Sequence, residues 1–150
     1  MTRHVPILVL ALLLLVVRET ALAAPAPSTL VDTLYTAARA KWPPASPSDP
    51  LTGASEYVIV PWKTTFFAST THGVRGPFAC DVWEYKAGRW SYVFRYEETL
   101  VEAPPEQRAA EDAAARKKDR SLWAQQGFSA SMQERLVHGK FQRFPRLRGK

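Results

Sequence analysis

The sequence has a single cysteine, Cys80, and no asparagine at any position. With one thiol, no disulfide can form within the chain, so the fold must be stabilised by its core. The thiol itself is either buried or joined to another molecule. The lack of asparagine excludes N-glycosylation, which needs an Asn-x-Ser/Thr sequon. The chain is instead rich in aromatic residues (5 Trp, 5 Tyr and 7 Phe), which bury large areas and suffice for the core of one domain.

Short catalytic and cofactor motifs are also missing. The chain has no G-x-S-x-G elbow, no Walker loop, no H-E-x-x-H, no C-x-x-C and no dinucleotide fingerprint. Each of these motifs is short and easy to see, so their absence favours a non-enzymatic protein that needs no cofactor.

One long apolar run stands at the start of the chain. Arg3 precedes an apolar segment of about 13 residues, and Ala21-Leu22-Ala23 supplies a small-x-small cleavage site. The run is shorter than the roughly 20 residues of a membrane-spanning helix. We therefore expect residues 1–23 to be a signal peptide that is cleaved near Ala23/Ala24. Scarce isoleucine and an excess of arginine over lysine are typical of GC-rich bacteria, so we expect a secreted or periplasmic protein that does not span a membrane.

The first part of the mature chain has the pattern of an amphipathic helix. Apolar residues recur at helical spacing over residues 29–41, and Thr29 with Asp32 resembles a capping box. Pro43-Pro44 should end this helix and begin a proline-rich loop over residues 43–53.

The middle of the chain has the pattern of strands. Residues 57–60 and 63–69 are rich in β-branched and aromatic residues, and residues 70–77 read as a loop. Residues 78–97 form a predicted hairpin. A two-residue turn would place Ala87 at positive φ, which costs an L-residue about 1–2 kcal/mol. We therefore predict a three-residue loop closed by Tyr85 and Arg89, with Cys80 buried opposite Phe94.

Two helices are predicted after the hairpin. The first covers residues 105–126, which are rich in alanine and charged residues, and it ends at Gly127. The second is short: it starts at a capping box of Ser131 and Glu134 and ends at Gly139. Residues 140–150 form a basic C-terminal tail.

These elements predict a single α+β domain over residues 24–139. Its N-terminal helix packs on one antiparallel sheet of about four strands, and the two C-terminal helices follow. Over residues 29–98 this order resembles cystatin-like and nuclear-transport-factor-2-like modules, in which a helix lies on a curved antiparallel sheet. Gly88-Arg89-Trp90 matches the Gly-x-Trp that often ends a hairpin in those modules. A likeness of fold alone supplies no function.

Three weaker groupings of residue types keep a small enzyme as an alternative. Cys80 with His72 or His138 has the composition of a Cys–His dyad, which needs only proximity in the fold. Metal-ligand types and possible acid–base carboxylates also occur, but without motif spacing: His72, Cys80, Asp81, Glu84 and His138 for a metal, and Asp81, Glu84, Glu97 and Glu98 for an acid–base pair. We therefore predict no catalytic residue and no metal site.

The predicted hairpin offers a candidate binding surface. Its reverse face carries Trp83, Tyr85 and Arg95, and these residue types are enriched at the centres of interfaces. This favours an exported accessory protein that binds a small ligand or an envelope protein. Cover by the C-terminal helices is the competing explanation.

The C-terminal tail offers a second candidate surface. The formal net charge is +6, and no acidic residue follows Glu134. Such a segment attracts polyanions, and an exported protein would meet anionic lipid or lipopolysaccharide rather than nucleic acid. The alternative function is therefore an envelope-surface adaptor, and the competing explanation is a solvated terminus. The residues concerned are Lys140, Arg143, Arg146, Arg148 and Lys150, interleaved with Phe141, Phe144 and Leu147.

Overall fold

The computed structural model describes residues 24–44, 53–72 and 78–145. The predicted signal peptide (residues 1–23) lies outside the described residues, as do most of the proline-rich loop and residues 73–77. Three of the predicted anion-binding residues, Arg146, Arg148 and Lys150, also lie outside them.

Three helices and five strands make up the described part of the chain. They are α1 (Pro27–Lys41), β1 (Ala54–Trp62), β2 (Thr65–His72), β3 (Ala79–Lys86), β4 (Arg89–Glu97), α2 (Pro105–Gln125), α3 (Ala130–Val137) and β5 (Gln142–Arg143). The strands form one antiparallel sheet in the order β4-β3-β2-β1-β5. The α+β class with a single antiparallel sheet is confirmed. The sheet has five strands rather than about four because β5 comes from the segment predicted to be a tail.

Helix α1 covers one face of the sheet. Leu30, Leu34 and Ala38 follow one another at four-residue spacing, so they lie on one side of the helix, and all three are buried. They pack with Trp83 and Trp90 of the hairpin in one apolar cluster. The indole N–H of Trp90 donates a hydrogen bond to the carbonyl of Leu30 over 3.0 Å, which ties α1 to β4.

The opposite face is covered by the end of α2 and by α3. Trp123 and Leu136 pack there with Cys80, Val82 and other buried residues in a second cluster. Successive strand residues point to opposite faces. The middle of β3 is therefore buried at four consecutive positions, although a sheet with one solvated face would bury only every second one.

The predicted register of the hairpin was wrong. Lys86 pairs with Arg89, so the turn has two residues, and Ala87 and Gly88 both have positive φ (51° and 79°). The predicted cost to Ala87 is outweighed by a register that buries aromatic residues on both faces. A bulge at Val93, between the pairs Val82–Phe94 and Trp83–Tyr92, shifts the second half of β4 by one position.

The predicted capping boxes were also wrong. Helix α1 begins at Pro27 after Ala26, with no side-chain cap. Proline suits this position because it lacks the N–H that the first turn leaves unpaired. In α3 the cap is Ser129, whose hydroxyl accepts a hydrogen bond from the backbone N–H of Met132 over 3.2 Å. The predicted cap, Ser131, lies inside the helix.

The start of the C-terminal segment belongs to the domain. Gln142 and Arg143 pair with β1. Phe144 is completely buried, and its ring centroid lies 4.7 Å from that of Tyr57 and 5.0 Å from that of Tyr35. Phe144 is therefore a core residue and is not available to a lipid surface.

Helix α2 is the longest helix described, and much of it is exposed. Only Asp119 and Trp123, both near its C-terminal end, are buried. Among residues 24–44, 53–72 and 78–145, no helix has both the length and the apolar composition needed to cross a membrane.

Candidate functional site

Charged and aromatic side chains meet where the end of α1 approaches β2, β3 and β4. The buried part is a pair, His72 and Asp81. The outer part, which we call the Trp42–Tyr92 patch, consists of Lys41, Trp42, Tyr92 and Arg95. No sequence motif marks this group, because its members come from four separate elements.

The end of α1 fixes the position of Trp42. The helix ends at Lys41, and the backbone N–H of Trp42 still donates to the carbonyl of Ala38 over 2.8 Å. Pro43 and Pro44 prevent a further turn. The indole ring therefore lies against the imidazole of His72, with ring centroids 5.2 Å apart.

His72 is the last residue of β2, although residues 70–77 were predicted to form a loop. That prediction was wrong at its start, because β2 continues through Thr70 and Thr71. Thr70 is buried, and its hydroxyl accepts a hydrogen bond from the indole N–H of Trp83 over 2.9 Å. This hydrogen bond offsets the cost of burying the Thr70 hydroxyl in the core. The strand can therefore continue through Thr70 to His72.

Asp81 is a charged group with incomplete hydrogen bonding. Its side chain is 0% exposed and that of His72 is 8% exposed. Nε2 of His72 lies 2.8 Å from Oδ2 of Asp81, and Nη1 of Arg95 lies 3.7 Å from Oδ1. Among the described residues, neither the carboxylate oxygens of Asp81 nor the ring nitrogens of His72 have a well-formed hydrogen bond.

The pKa values of the pair are moved towards each other. Burial raises the pKa of Asp81 to about 6, although the charges of Arg95 and Lys41 and a contact from Trp42 oppose this shift. Burial also lowers the pKa of His72, and the charge of Arg95 lowers it further. The two groups therefore titrate as a coupled pair rather than far apart.

In the Trp42–Tyr92 patch, the cations of Lys41 and Arg95 lie over the rings of the two aromatic residues. Nζ of Lys41 lies 3.7 Å from the ring centroid of Tyr92 and 5.5 Å from that of Trp42. Cζ of Arg95 lies 5.3 Å from the ring centroid of Trp42. Trp42 and Tyr92 are 36% and 39% exposed. Among the described residues, Leu100 is the one other large apolar residue with an exposed side chain.

The structure brings only part of the predicted hairpin site together. Trp83, Tyr85 and Arg95 lie on one face of the sheet, as predicted, but α1 covers that face rather than the C-terminal helices. Arg95 belongs to the patch. Trp83 is buried and contacts Tyr92 edge to face, with ring centroids 5.6 Å apart, and Tyr85 packs edge to face with Trp90 near the hairpin turn.

Cys80 is a buried core residue, as predicted, but it lies opposite Tyr96 rather than Phe94. Burial raises the pKa of its thiol to about 12, so the thiol is protonated at neutral pH. Neighbouring residues of β3 point to opposite faces, and His72 contacts Asp81. His72 therefore lies across the sheet from the thiol. His138 is exposed and faces Glu134.

The other candidate groupings are not assembled. Among the described residues, no group of three or more His, Cys, Asp or Glu side chains could hold a metal ion. Of the predicted acid–base residues, Glu84 points away from Asp81. Glu97 is separated from Asp81 by Arg95, whose Nε lies 2.8 Å from Oε1 of Glu97.

The described basic residues of the C-terminal segment are exposed. Lys140 precedes β5, and Arg143 lies within it. Nε of Arg143 is 3.8 Å from Oε1 of Glu56, and both side chains are largely solvated.

Comparison of the chain with family models, curated proteins and solved structures found no match. The resemblance of residues 29–98 to cystatin-like and nuclear-transport-factor-2-like modules therefore rests only on the order of elements and on Gly88-Arg89-Trp90.

Sequence analysis missed Lys41, Trp42 and Tyr92 as site residues. Tyr92 looked like a core residue because aromatic residues in strands usually are. One usable signal was the position of Trp42: a tryptophan between the end of a helix and two prolines is not held in a regular element.

Proposed function

We propose that this chain is an exported, non-enzymatic accessory protein that binds a protein of the cell envelope through the Trp42–Tyr92 patch. The observation that carries this proposal is the presence of two exposed aromatic rings within 5.5 Å of the Lys41 ammonium. Tryptophan, tyrosine and arginine contribute most of the binding energy in many interfaces. The patch contains all three types.

The patch suits a protein partner better than a small ligand. Small-molecule sites are concave and enclose most of their ligand, whereas Trp42 and Tyr92 are more than one-third exposed. Lys41 and Arg95 give the patch a positive charge, and the whole chain has a formal net charge of +6. An acidic surface on the partner would complement both.

Site-specific photo-cross-linking tests this proposal in the native envelope. p-Benzoylphenylalanine at position 92 keeps an aromatic ring in the patch, and the same residue at position 100 replaces the exposed Leu100 as a matched control. We expect one defined protein adduct from position 92 and none from position 100. Absence of an adduct at position 92, or the same adducts from both positions, would contradict the proposal.

Binding measurements with the cross-linked protein, once purified, add a second test. Truncation of a hot-spot residue costs about 2 kcal/mol or more, which is about a 30-fold increase in Kd. We expect this for Tyr92→Ala and less than a threefold change for Leu100→Ala. Equal effects would place the interface elsewhere.

Export is tested separately by the N-terminus of the protein recovered from the envelope fraction. The Arg3 to Ala23 pattern supports a chain that begins near Ala24. Recovery of uncleaved protein from the cytoplasm would remove export from the proposal.

The envelope-surface adaptor remains a second proposal. It is supported by the run of basic residues after Glu134, of which Lys140 and Arg143 are exposed on the domain. Removing everything after Gly139 would also delete Phe144 and damage the core, so charge removal is the better test. The triple variant Arg146→Gln, Arg148→Gln, Lys150→Gln should lose binding to phosphatidylglycerol vesicles, with phosphatidylcholine vesicles as the control. Unchanged binding would exclude the tail.

A further inference from the structure

We propose that the buried His72–Asp81 pair is a proton-operated control of the Trp42–Tyr92 patch. When the pair takes up one proton, it loses its negative charge and therefore attracts the overlying cations less. This inference rests on the proposed binding function, but its structural part can be tested without a partner.

The first step is the direct contact between the pair and the patch. Trp42 lies on the imidazole of His72 at 5.2 Å, and Arg95 reaches both Oδ1 of Asp81 and the ring of Trp42. Two residues of the patch, Trp42 and Arg95, therefore contact the His72–Asp81 pair directly. A change of charge in the pair acts on them without any intervening residue.

The second step is the number of protons. Above its titration range the pair has one negative charge, because Asp81 is ionised and His72 is neutral. After uptake of one proton the pair has no net charge, whether the proton is on the carboxylate or on the imidazole with the carboxylate still ionised. The change in charge beneath the patch is therefore the same for both microstates. The titration of Asp81 near pH 6 places this change close to physiological pH.

The third step is the set of other charged groups that face the pair. Lys41 approaches from the end of α1, and Arg95 approaches from β4. Tyr92 also faces the pair, and burial raises its pKa, so it stays neutral. Glu97 keeps its contact with Arg95. After proton uptake, therefore, Lys41 and Arg95 remain as two cations over a His72–Asp81 pair that has no net negative charge.

The consequence for binding follows from this charge balance. An acidic partner surface should bind more tightly as the pH falls through the titration range. Removal of one nearby negative charge at a partly exposed site corresponds to an increase in affinity of about three- to tenfold. Because only one proton is taken up, the affinity can change by at most tenfold for each pH unit.

The environment of Trp42 reports the control directly. The chain has 5 Trp residues, so labelling with 5-fluorotryptophan gives a ¹⁹F NMR spectrum in which Trp42→Phe identifies the Trp42 signal. Between pH 4.5 and 8 we expect this signal to move with one midpoint near the Asp81 value of about 6. The Trp90 signal serves as an internal control, because its N–H is bonded to the carbonyl of Leu30.

Three variants decide the assignment. Asp81→Asn should abolish the movement of the Trp42 signal near pH 6. Arg95→Gln should raise the midpoint, because Arg95 lowers the pKa of both members of the pair. Arg143→Gln removes an exposed arginine on β5 and should leave the midpoint unchanged.

A Trp42 signal that does not move in the wild type, or that moves equally in Asp81→Asn, would overturn the proposal. If Asp81→Asn does not fold, an unchanged midpoint in Arg95→Gln would overturn it instead. Failure of the proposed function gives a different result: no adduct at position 92, together with a normal Trp42 titration. With a partner in hand, affinity at pH 5.5 should exceed that at pH 7.5 in the wild type but not in Asp81→Asn.

Discussion

Asp81→Asn is expected to stabilise the protein at neutral pH, although it removes an ion pair. The folded pKa of Asp81 is about 6, against an ordinary value of 3.8. The folded state therefore binds this proton more tightly than the unfolded state does. The favourable contribution of the group is complete below about pH 4 and is lost as the pH rises through about 6.

The size of the effect follows from the same shift. At 1.36 kcal/mol for each pH unit, ionising Asp81 in the folded protein costs about 3 kcal/mol. The attraction of Arg95 is already included, because it acts on the same pKa. Asparagine resembles the protonated carboxyl group and cannot ionise. Since its hydrogen bonding is not identical, we expect a gain of about 1–3 kcal/mol in the free energy of unfolding at pH 7.5.

Urea denaturation of both proteins at pH 4 and pH 7.5 measures this prediction. The difference between variant and wild type should be small at pH 4 and largest at pH 7.5. His72 acts in the opposite direction, because a lowered folded pKa costs stability as the pH falls. Since His72 is coupled to Asp81, loss of the carboxylate increases this cost in the variant and reduces its advantage at pH 4. Glu97→Gln, which removes a 64% exposed carboxylate from the same arginine, should change stability by less than about 0.5 kcal/mol. A variant that is less stable at pH 7.5, or a difference independent of pH, would refute the reasoning.

Four further predictions test the fold. Ala87→Gly should raise the free energy of unfolding by about 0.5–1 kcal/mol in urea denaturation, because residue 87 has φ 51°; a loss of stability would contradict this. In the same assay Ser129→Ala should cost about 1 kcal/mol and Ser131→Ala less than about 0.5 kcal/mol, since only Ser129 caps α3; equal costs would show that the cap is misplaced. Phe144→Ala should cost about 3–5 kcal/mol because its side chain is 0% exposed, and a stability equal to that of the wild type would show that residue 144 lies outside the core. Cys80 should react with a thiol reagent only when the protein unfolds, because burial raises its pKa to about 12; rapid labelling of native protein would disprove its burial.

Local patterns in the sequence predicted the type of most elements. Helix α1 could be predicted because Leu30 and Leu34 repeat at helical spacing, and a proline pair marks its end. The hairpin was recognisable because Gly88 follows one aromatic and β-branched run and precedes another. Such signals depend on residues close together in the chain, which is why they determine element type better than element boundaries.

The hairpin register depended on information that is not local. The cost of positive φ at Ala87 argued for a longer loop, and that cost is real. It was outweighed by packing, since the two-residue turn together with the bulge at Val93 buries Trp90 under α1 and Phe94 under α2. Because α1 and α2 come from distant parts of the chain, no local rule could show that both faces of the sheet would be covered.

The candidate site was hidden for a related reason. Asp81 is one of several acidic residues in a hairpin, and only burial distinguishes it from Glu84 or Glu97. That burial is costly: a hydrophobic or neutral residue at position 81 would suit the core better than a carboxylate with incomplete hydrogen bonding. The hydrophobic pattern of β3 would fold equally well without it. Ionisable groups that are buried at a cost in stability are often found at functional sites, and we propose that Asp81 acts on the Trp42–Tyr92 patch beside it.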